Sequence, residues 1–294
     1  MSKWFEEQLE VKDGRIVRIE YTELLESHQS EFQKVDIYDT VPFGRMLVHD
    51  DVIMLTEADE ANYHEMIVHV AMNVHPGPQR VLVIGGGDGG TLREVLKHKQ
   101  VQTAHLCEID GDVIRLCKKY FPNISCSFSD SRTDVFLEDG ADFIRKKKNF
   151  YHIIIVDSSD PIGPAEVLFK EQFYRDMFAA LTKDGIVVTQ SESFLYHKKI
   201  IKNIASFSRK IYPLYFYYYT MVPTYPSGVI GFSFCSKKYH PLNDFKPEKA
   251  DALEGLKYYS KDMHIAAFVL PQEFATLLNS VEHRVKIRGQ GEET

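Results

Sequence analysis

The sequence predicts an α/β fold: a doubly wound, mostly parallel sheet preceded by a small antiparallel β-domain. Three observations carry this expectation. Short alternating strands fill residues 1–55, buried strands alternate with helices from residue 56 onward, and the first of those strands runs into a glycine-rich turn, GGGDGG at 85–90. With 294 residues, 44% of them hydrophobic and 26% charged, the chain can bury a large core. No apolar run approaches the roughly 20 residues a membrane helix needs.

The elements follow in order. RIVRIEYTELL, FQKVDIYDT, RMLVHDD and VIMLT read as strands separated by polar turns. At ADEANYHEMIVHVAMNV the apolar residues change to helical spacing, and His75-Pro76-Gly77-Pro78 stops that helix. RVLVIG then leads through the glycine turn into TLREVLKHK. Three more strands behave alike: TAHLCEID leads to DVIRLCKKYF, TDVFLEDG to ADFIRKKK, and YHIIIVDSSD through a loop to KEQFYRDMFAALTKDG. Strands alternating with helices imply parallel pairing. A fifth strand, IVVTQSES, precedes a helix at HKKIIKNIASFSRKI, and YFYYYTMVP and GVIGFSFCSK pair as a hairpin around TYPSG. This divides the chain into residues 1–55 and 56–294, with the tail VEHRVKIRGQGEET expected to fray.

Composition narrows the function. A net charge of −7 argues against a nucleic-acid partner, and the basic run Arg145 to Lys148 reads as a solvated helix end. The acidic N-terminus lacks a secretory pattern, and Cys107, Cys117, Cys126 and Cys235 form no CxxC pair; both features suggest a cytoplasmic protein with reduced thiols. Ligands of open parallel sheets bind beyond the carboxyl ends of the strands. The residues there are Asp88, Glu108, Asp139, Asp157, Asp160, Gln190 and Glu192, all acids but one and none basic.

The glycine turn, with Gly85 and Gly87, and Glu108 about 20 residues on, fits an adenosine ribose. Asp88 opposes two common adenosyl ligands, because it would repel both a pyrophosphate and the tail carboxylate of S-adenosylmethionine. An adenosyl ligand with a cationic tail suits it. Asp139-Gly140 reads as a contact to the adenine amino group, as a helix N-cap, or as both. Asp157 and Asp160 could serve a metal, a general base or a cationic substrate. No phosphate cradle favours the metal, and His64-Glu65 with His69 lacks the four-residue spacing of a zinc helix. A base beside a polycation pocket fits best, with Tyr63 and Tyr225 walling the methylene segments.

These residues resemble the polyamine aminopropyltransferase family, the spermidine synthases, along nearly the whole chain. The likeness runs through YHEM at 63–66, HPGPQRVLVIGGGDGGTLREVLKH at 75–98, CEIDGDVI at 107–114, DSSDPIGPAEVLF at 157–169 and PTYPSG at 223–228. The resemblance implies a Rossmann-like catalytic domain behind a small β-domain, a dimer or tetramer, and aminopropyl transfer from decarboxylated S-adenosylmethionine to putrescine without a metal or other cofactor. It assigns Asp157 as base, flanked by Tyr63 and Tyr225, and Asp88 to the donor's ammonium. It gives Gln33, Glu108 and Asp139-Gly140 to the methylthioadenosine part, and His64, Asp160, Gln190 and Glu192 to the acceptor. The chain departs from the family at His49-Asp50-Asp51, where many members have L-D-G, which bears on that turn's geometry. A methyltransferase and a non-catalytic polyamine-binding module are the rival readings.

Residues Ser158 to Val167 are expected to form a lid that orders when ligands enter, with Asp160 and Glu166 repelling one another in the empty site. Hydrogen exchange across this peptide should slow when methylthioadenosine and putrescine are added together, and equal protection in both states would exclude the lid.

Overall fold

The computed structural model describes residues 2–161 and 163–280, so the expected C-terminal fraying lies outside the described residues. Five antiparallel strands form the first sheet: β1 (Lys3–Glu6), β2 (Arg18–Gln29), β3 (Lys34–Thr40), β4 (Gly44–His49) and β5 (Val52–Thr56), joined in sequence order. The sequence reading missed β1, a four-residue edge strand too short to show alternation, which pairs Lys3 with Tyr21 of β2. The turn between β4 and β5 closes without glycine. Asp50 and Asp51 take φ of 46° and 63°, the left-handed pair that a two-residue hairpin loop requires, and the Asp50 carboxylate accepts the Lys34 N–H at 2.9 Å.

The second sheet has seven strands in the order β11-β12-β10-β9-β6-β7-β8. Its strands are β6 (Arg80–Gly85), β7 (Thr103–Glu108), β8 (Thr133–Leu137), β9 (Tyr151–Asp157), β10 (Leu181–Gln190), β11 (Leu214–Met221) and β12 (Val229–Ser236). β6 to β10 are mutually parallel, while β12 runs antiparallel to both β10 and β11. The helices are α1 (Glu60–Val74), α2 (Gly90–Leu96), α3 (Gly111–Tyr120), α4 (Gly140–Arg145), α5 (Glu171–Ala180) and α6 (Lys198–Ile211). Three short ones not foreseen in the sequence follow: α7 (Pro247–Asp251), α8 (Lys261–Ala266) and α9 (Gln272–Asn279).

The apolar strands need cover on both faces. On one face Met66, Ile67, Val70 and Ala71 of α1 and Leu92 of α2 pack on Val81, Val83 and Ile155; on the other Phe143, Tyr174, Met177 and Ile204 of α4 to α6 pack on Leu82, Ile154 and Val187. One expected boundary moves. The helix before β10 stops at Ala180, and the strand starts at Leu181 with a register shift before Ile186, since Lys183-Asp184-Gly185 breaks the helical period. The same strand ends at Gln190, so Ser191, Glu192 and Ser193 lie beyond it.

β6 has β7 on one side and β9 on the other, so the chain reverses direction across the sheet at β6/β9. There the helices leave on opposite faces and a crevice opens. Gly85 is paired with Asp157 across that step. The small sheet covers the crevice, burying Val35, Ile37, Leu47 and Leu55 against Val113, Leu116 and Cys117 of α3 and against Phe121. The basic run at α4 carries ion pairs Arg145–Asp142 and Lys146–Glu138 on an exposed face, as expected of a solvated helix end.

Candidate active site

A cavity of about 340 Å³ fills this crevice, bordered by the carboxyl ends of β6, β7, β9 and β10, the start of α1, the β11–β12 hairpin and the small sheet. Every candidate residue named from the sequence borders it. Among the described residues no lysine or arginine does. Acids from eight separate chain segments therefore face one space, whose basic side chains, among the described residues, are the histidines His49, His64 and His197.

The glycine turn is built for close approach. Gly85, Gly86 and Gly89 have φ of 79°, 68° and 89°, a region that costs other residues steric strain. A Cβ on Gly85 would lie 2.1 Å from the Asp157 carbonyl oxygen, and the Gly86 N–H donates to that oxygen at 2.9 Å. Glycine thus lets the ends of β6 and β9 meet, and this meeting holds Asp157 over the crevice. A Cβ on Gly87 would lie 2.9 Å from Glu108 Oε2.

Asp88 accepts the Gly90 N–H at 2.6 Å, and its Oδ1 lies 3.2 Å from His64 Nε2. The other ring nitrogen of His64, Nδ1, lies 2.7 Å from Glu60, which also binds the Arg93 guanidinium at 2.8 Å. His64 is buried, which alone would lower its pKa, but Asp88 and Glu60 outweigh burial and hold it well above 6.5. Burial opposes the charge on Glu60 also, yet His64 and Arg93 bring it to about 2, and His64 keeps Asp88 below its usual value in the same way. His64, expected at the acceptor, thus has both nitrogens committed to carboxylates and meets the cavity through Asp88. His64, Asp88 and Asp157 offer ligand atoms within 4.8 Å of one another, but a ring engaged on both sides has no lone pair for a metal.

Asp157 receives the Thr91 hydroxyl at 2.6 Å and is within hydrogen-bonding reach of Tyr63. Burial, then the charge of Asp88, raise its pKa. Tyr63 and Tyr225 stand edge to face with ring centroids 6.4 Å apart. The Tyr225 hydroxyl donates to the Met54 carbonyl of β5 at 2.7 Å, so its ring is the part that faces the ligand space.

Beyond β7, Glu108 is pushed up to about 7 by burial, against backbone donors that include the Asp110 N–H at 2.9 Å. Asp110 is a residue the sequence reading missed. It takes the Ser30 hydroxyl at 2.6 Å and the Gln33 amide at 3.1 Å, tying the small sheet to the end of β7. The Asp139 carboxylate accepts the Ala141 and Asp142 N–H groups at 2.8 and 2.9 Å, which makes it the N-cap of α4. A Cβ on Gly140 would meet Ile84 at 2.3 Å.

Past β9, Asp160 receives the Gln190 amide at 3.3 Å and is in hydrogen-bonding contact with Glu192. Burial and then the Glu192 charge raise its pKa well above 3.8. The expected repulsion between Asp160 and Glu166 is not there. Glu166 is exposed in a 3-10 segment (Gly163–Phe169), paired with Lys170 at 2.8 Å, so Glu192 is the like charge that Asp160 meets.

A doubly wound, mostly parallel sheet with a glycine turn at its switch point and an acid-lined cleft without lysine or arginine among the described residues defines a Rossmann-like fold with its site at the strands' carboxyl ends. Residues 60–247 match the model of the Spermine/spermidine synthase domain and residues 3–57 that of the Spermidine synthase tetramerisation domain. The chain belongs to the spermine/spermidine synthase family and is an enzyme of the polyamine aminopropyltransferase class. A polyamine aminopropyltransferase of Leptospira biflexa is 52% identical over 94% of this chain and 97% of its own length. A spermidine synthase of Dictyostelium discoideum is 42% identical over 94% and 97%. Among solved structures, a spermidine synthase in complex with the transition state analogue AdoDATO superposes with a TM-score of 0.92 at 39% identity, covering 95% of each chain. The spermidine synthase of Thermotoga maritima gives 0.90 at 39% identity over 95% and 94%.

Replacing His64 by Ala leaves Glu60 and Asp88 buried with less compensation and should lower unfolding free energy by about 3 kcal/mol in urea titration near pH 6. The His64 pKa is raised on folding. Its contribution is therefore fully present below the unfolded value of 6.5 and is lost as pH rises through the higher folded value, so the gap between the two proteins should narrow in alkali.

Proposed function

We propose that this enzyme moves the aminopropyl group of decarboxylated S-adenosylmethionine to putrescine, yielding spermidine and methylthioadenosine, in the cytoplasm and as a homodimer or homotetramer. Asp88 carries the reading: a carboxylate anchored at the start of α2 and kept ionised by His64, where an adenosyl ligand's tail would lie. It attracts an aminopropyl ammonium and repels the carboxylate of intact S-adenosylmethionine, which disfavours a methyltransferase. The tetramerisation-domain match supports the oligomer, and the −7 net charge with a cleft bordered by acids and by no described lysine or arginine supports small cations over nucleic acid as partners.

In this reading Gln33, Glu108 and Asp139-Gly140 hold the methylthioadenosine part, with Gly85 and Gly87 giving the backbone access to it. Asp160, Gln190 and Glu192 hold the acceptor, and the rings of Tyr63 and Tyr225 confine its methylenes. Asp157 takes a proton from the attacking ammonium. The freed nitrogen then attacks the methylene bonded to sulfur: the C–N bond forms, the C–S bond breaks, and its electron pair leaves on sulfur as a neutral thioether. The leaving group is already a sulfonium, so the step requires no Lewis acid and no resident cofactor. Carboxylates around two approaching cations offset their repulsion. The raised pKa of Asp157 brings the base closer to neutrality, where proton transfer is more effective.

Methylthioadenosine release from decarboxylated S-adenosylmethionine with putrescine tests the function, and no release by the intact protein would reject it. Asp88→Asn should reduce the preference for decarboxylated over intact S-adenosylmethionine, read by titrating both donors against both proteins; an unchanged ratio would make Asp88 only a turn residue.

Asp157→Asn should lower kcat by roughly a hundredfold or more with donor binding less affected. In the unsubstituted enzyme kcat/KM should fall as pH drops through the raised Asp157 pKa, so its acid limb lies above 3.8, and Asp88→Asn should move that limb down by removing the neighbouring charge.

A further inference from the structure

The far end of the cavity is framed by Glu192, which the resemblance gives to the acceptor, and by His197 and Glu10, which neither the resemblance nor the sequence reading singled out. His197 follows the loop after β10. Its Nδ1 lies 2.9 Å from Glu192 Oε2, bent away from hydrogen-bond geometry, so the contact works as an ion pair. Its Nε2 lies 3.1 Å from Glu10 Oε1. The Glu10 carboxylate is itself held by the Arg15 guanidinium, which stacks 3.6 Å from the Tyr196 ring. Glu10, Glu192 and His197 all border the cavity.

Two further observations point to a ligand here. Oε1 of Glu192 and Oε1 of Gln190, both on residues that border the cavity, are buried acceptors with no donor, on side chains only 2% and 5% exposed. A group of acceptors that lacks donors is completed by an ammonium, which has three. Glu192 also has φ of 65°, a left-handed conformation that a non-glycine residue seldom adopts. Its carbonyl is pinned in that state by the Tyr217 hydroxyl at 2.7 Å and the Gly231 N–H at 3.0 Å. The backbone strain aims the side chain, and His197 restrains one carboxylate oxygen while the other remains open.

We propose that His197, clasped between Glu10 and Glu192, is a positioning residue that fixes Glu192 as the anchor for the far ammonium of the acceptor, and so selects diamines over monoamines. The proposal rests on the aminopropyl-transfer reading above. The near amine reacts beside Asp157 whatever lies at the other end of the acceptor. The far ammonium is where Glu192, Asp160 and Gln190 discriminate. The contact with Glu192 raises His197 in spite of burial, while burial and then the Glu192 charge raise Asp160, so an entering ammonium can replace the proton that Asp160 otherwise keeps.

The test compares putrescine with n-butylamine, which has the same carbon chain but no far ammonium, by methylthioadenosine release. His197→Ala should reduce the ratio of kcat/KM for putrescine to that for n-butylamine by about tenfold or more, chiefly through the putrescine KM, as expected for loss of a charge-assisted contact. His197→Gln, whose amide can still donate to Glu192, should fall between the two. Should His197→Ala fail to fold, Glu10→Gln, which loosens the ring without removing it, should lower the ratio in the same direction. An equal ratio in all variants, or equal loss of both acceptors, overturns the proposal while leaving the reaction assignment intact. No methylthioadenosine from the unsubstituted enzyme with decarboxylated S-adenosylmethionine and either amine overturns both.

Discussion

A buried imidazolium makes the rest of this site possible. Carboxylates without counter-ions in a cleft would protonate or drive the fold apart. His64, between Glu60 and Asp88, supplies one positive charge from beneath the cavity wall, and Arg93 supplies a second through Glu60. Arg93 does not border the cavity, and His64, which does, turns both ring nitrogens to carboxylates. His64 keeps Asp88 below its usual value, while burial and then the Asp88 charge raise Asp157, so burial and one cation together separate the ionisation of two neighbouring carboxyls. The lower group suits holding an ammonium and the higher one suits removing a proton, which is the division of labour that aminopropyl transfer requires.

The second dependence is on the junction between the sheets. Asp59, just ahead of α1, leaves its own helix uncapped and turns its carboxylate to Thr56 at 2.7 Å and to the backbone and hydroxyl of Thr224 at 3.0 and 2.8 Å. It therefore fastens the end of β5 to the β11–β12 hairpin that carries Tyr225. Asp110 does the corresponding work at the other rim, gathering Ser30 and Gln33 of the small sheet against the end of β7. The cavity is closed by side chains whose partners lie far apart in the chain. Moving the small sheet would displace Gln33, His49 and the Met54 carbonyl that orients Tyr225.

His49 shows how one residue is accommodated in this arrangement. Its ring lines the cavity, Nε2 has no partner, and burial brings its pKa down to about 4 in spite of Asp110, Asp88 and Asp50 nearby. It is neutral, so the acidic wall keeps its sign. The following Asp50-Asp51 pair takes over the tight turn by adopting left-handed backbone at both positions, with the Asp50 carboxylate bonded to the facing strand.

Local chemistry made much of this protein legible in the sequence. Apolar runs such as RVLVIG and YHIIIVD can only be buried strands, GGGDGG after a strand can only be a sharp turn, and acids that follow strands in a parallel sheet must gather at one edge. Those rules located Asp88, Glu108, Asp139 and Asp157, because each depends on residues a few positions away. Contacts across long separations were not legible. Nothing near His64 in the chain announces Asp88 as its partner, nothing near Asp110 announces Ser30, and neither Glu10 nor His197 belongs to a motif. The same limit explains the mistaken pairing of Asp160 with Glu166: closeness in sequence suggested repulsion, whereas the 3-10 segment carries Glu166 outward to Lys170 and the end of β10 brings Glu192 in. Sequence by itself determined which segments become strands and helices and which chemical groups their ends carry. Only the tertiary structure decided which of those groups share a dielectric and a proton, because burial and charge proximity depend on distances that chain order does not encode.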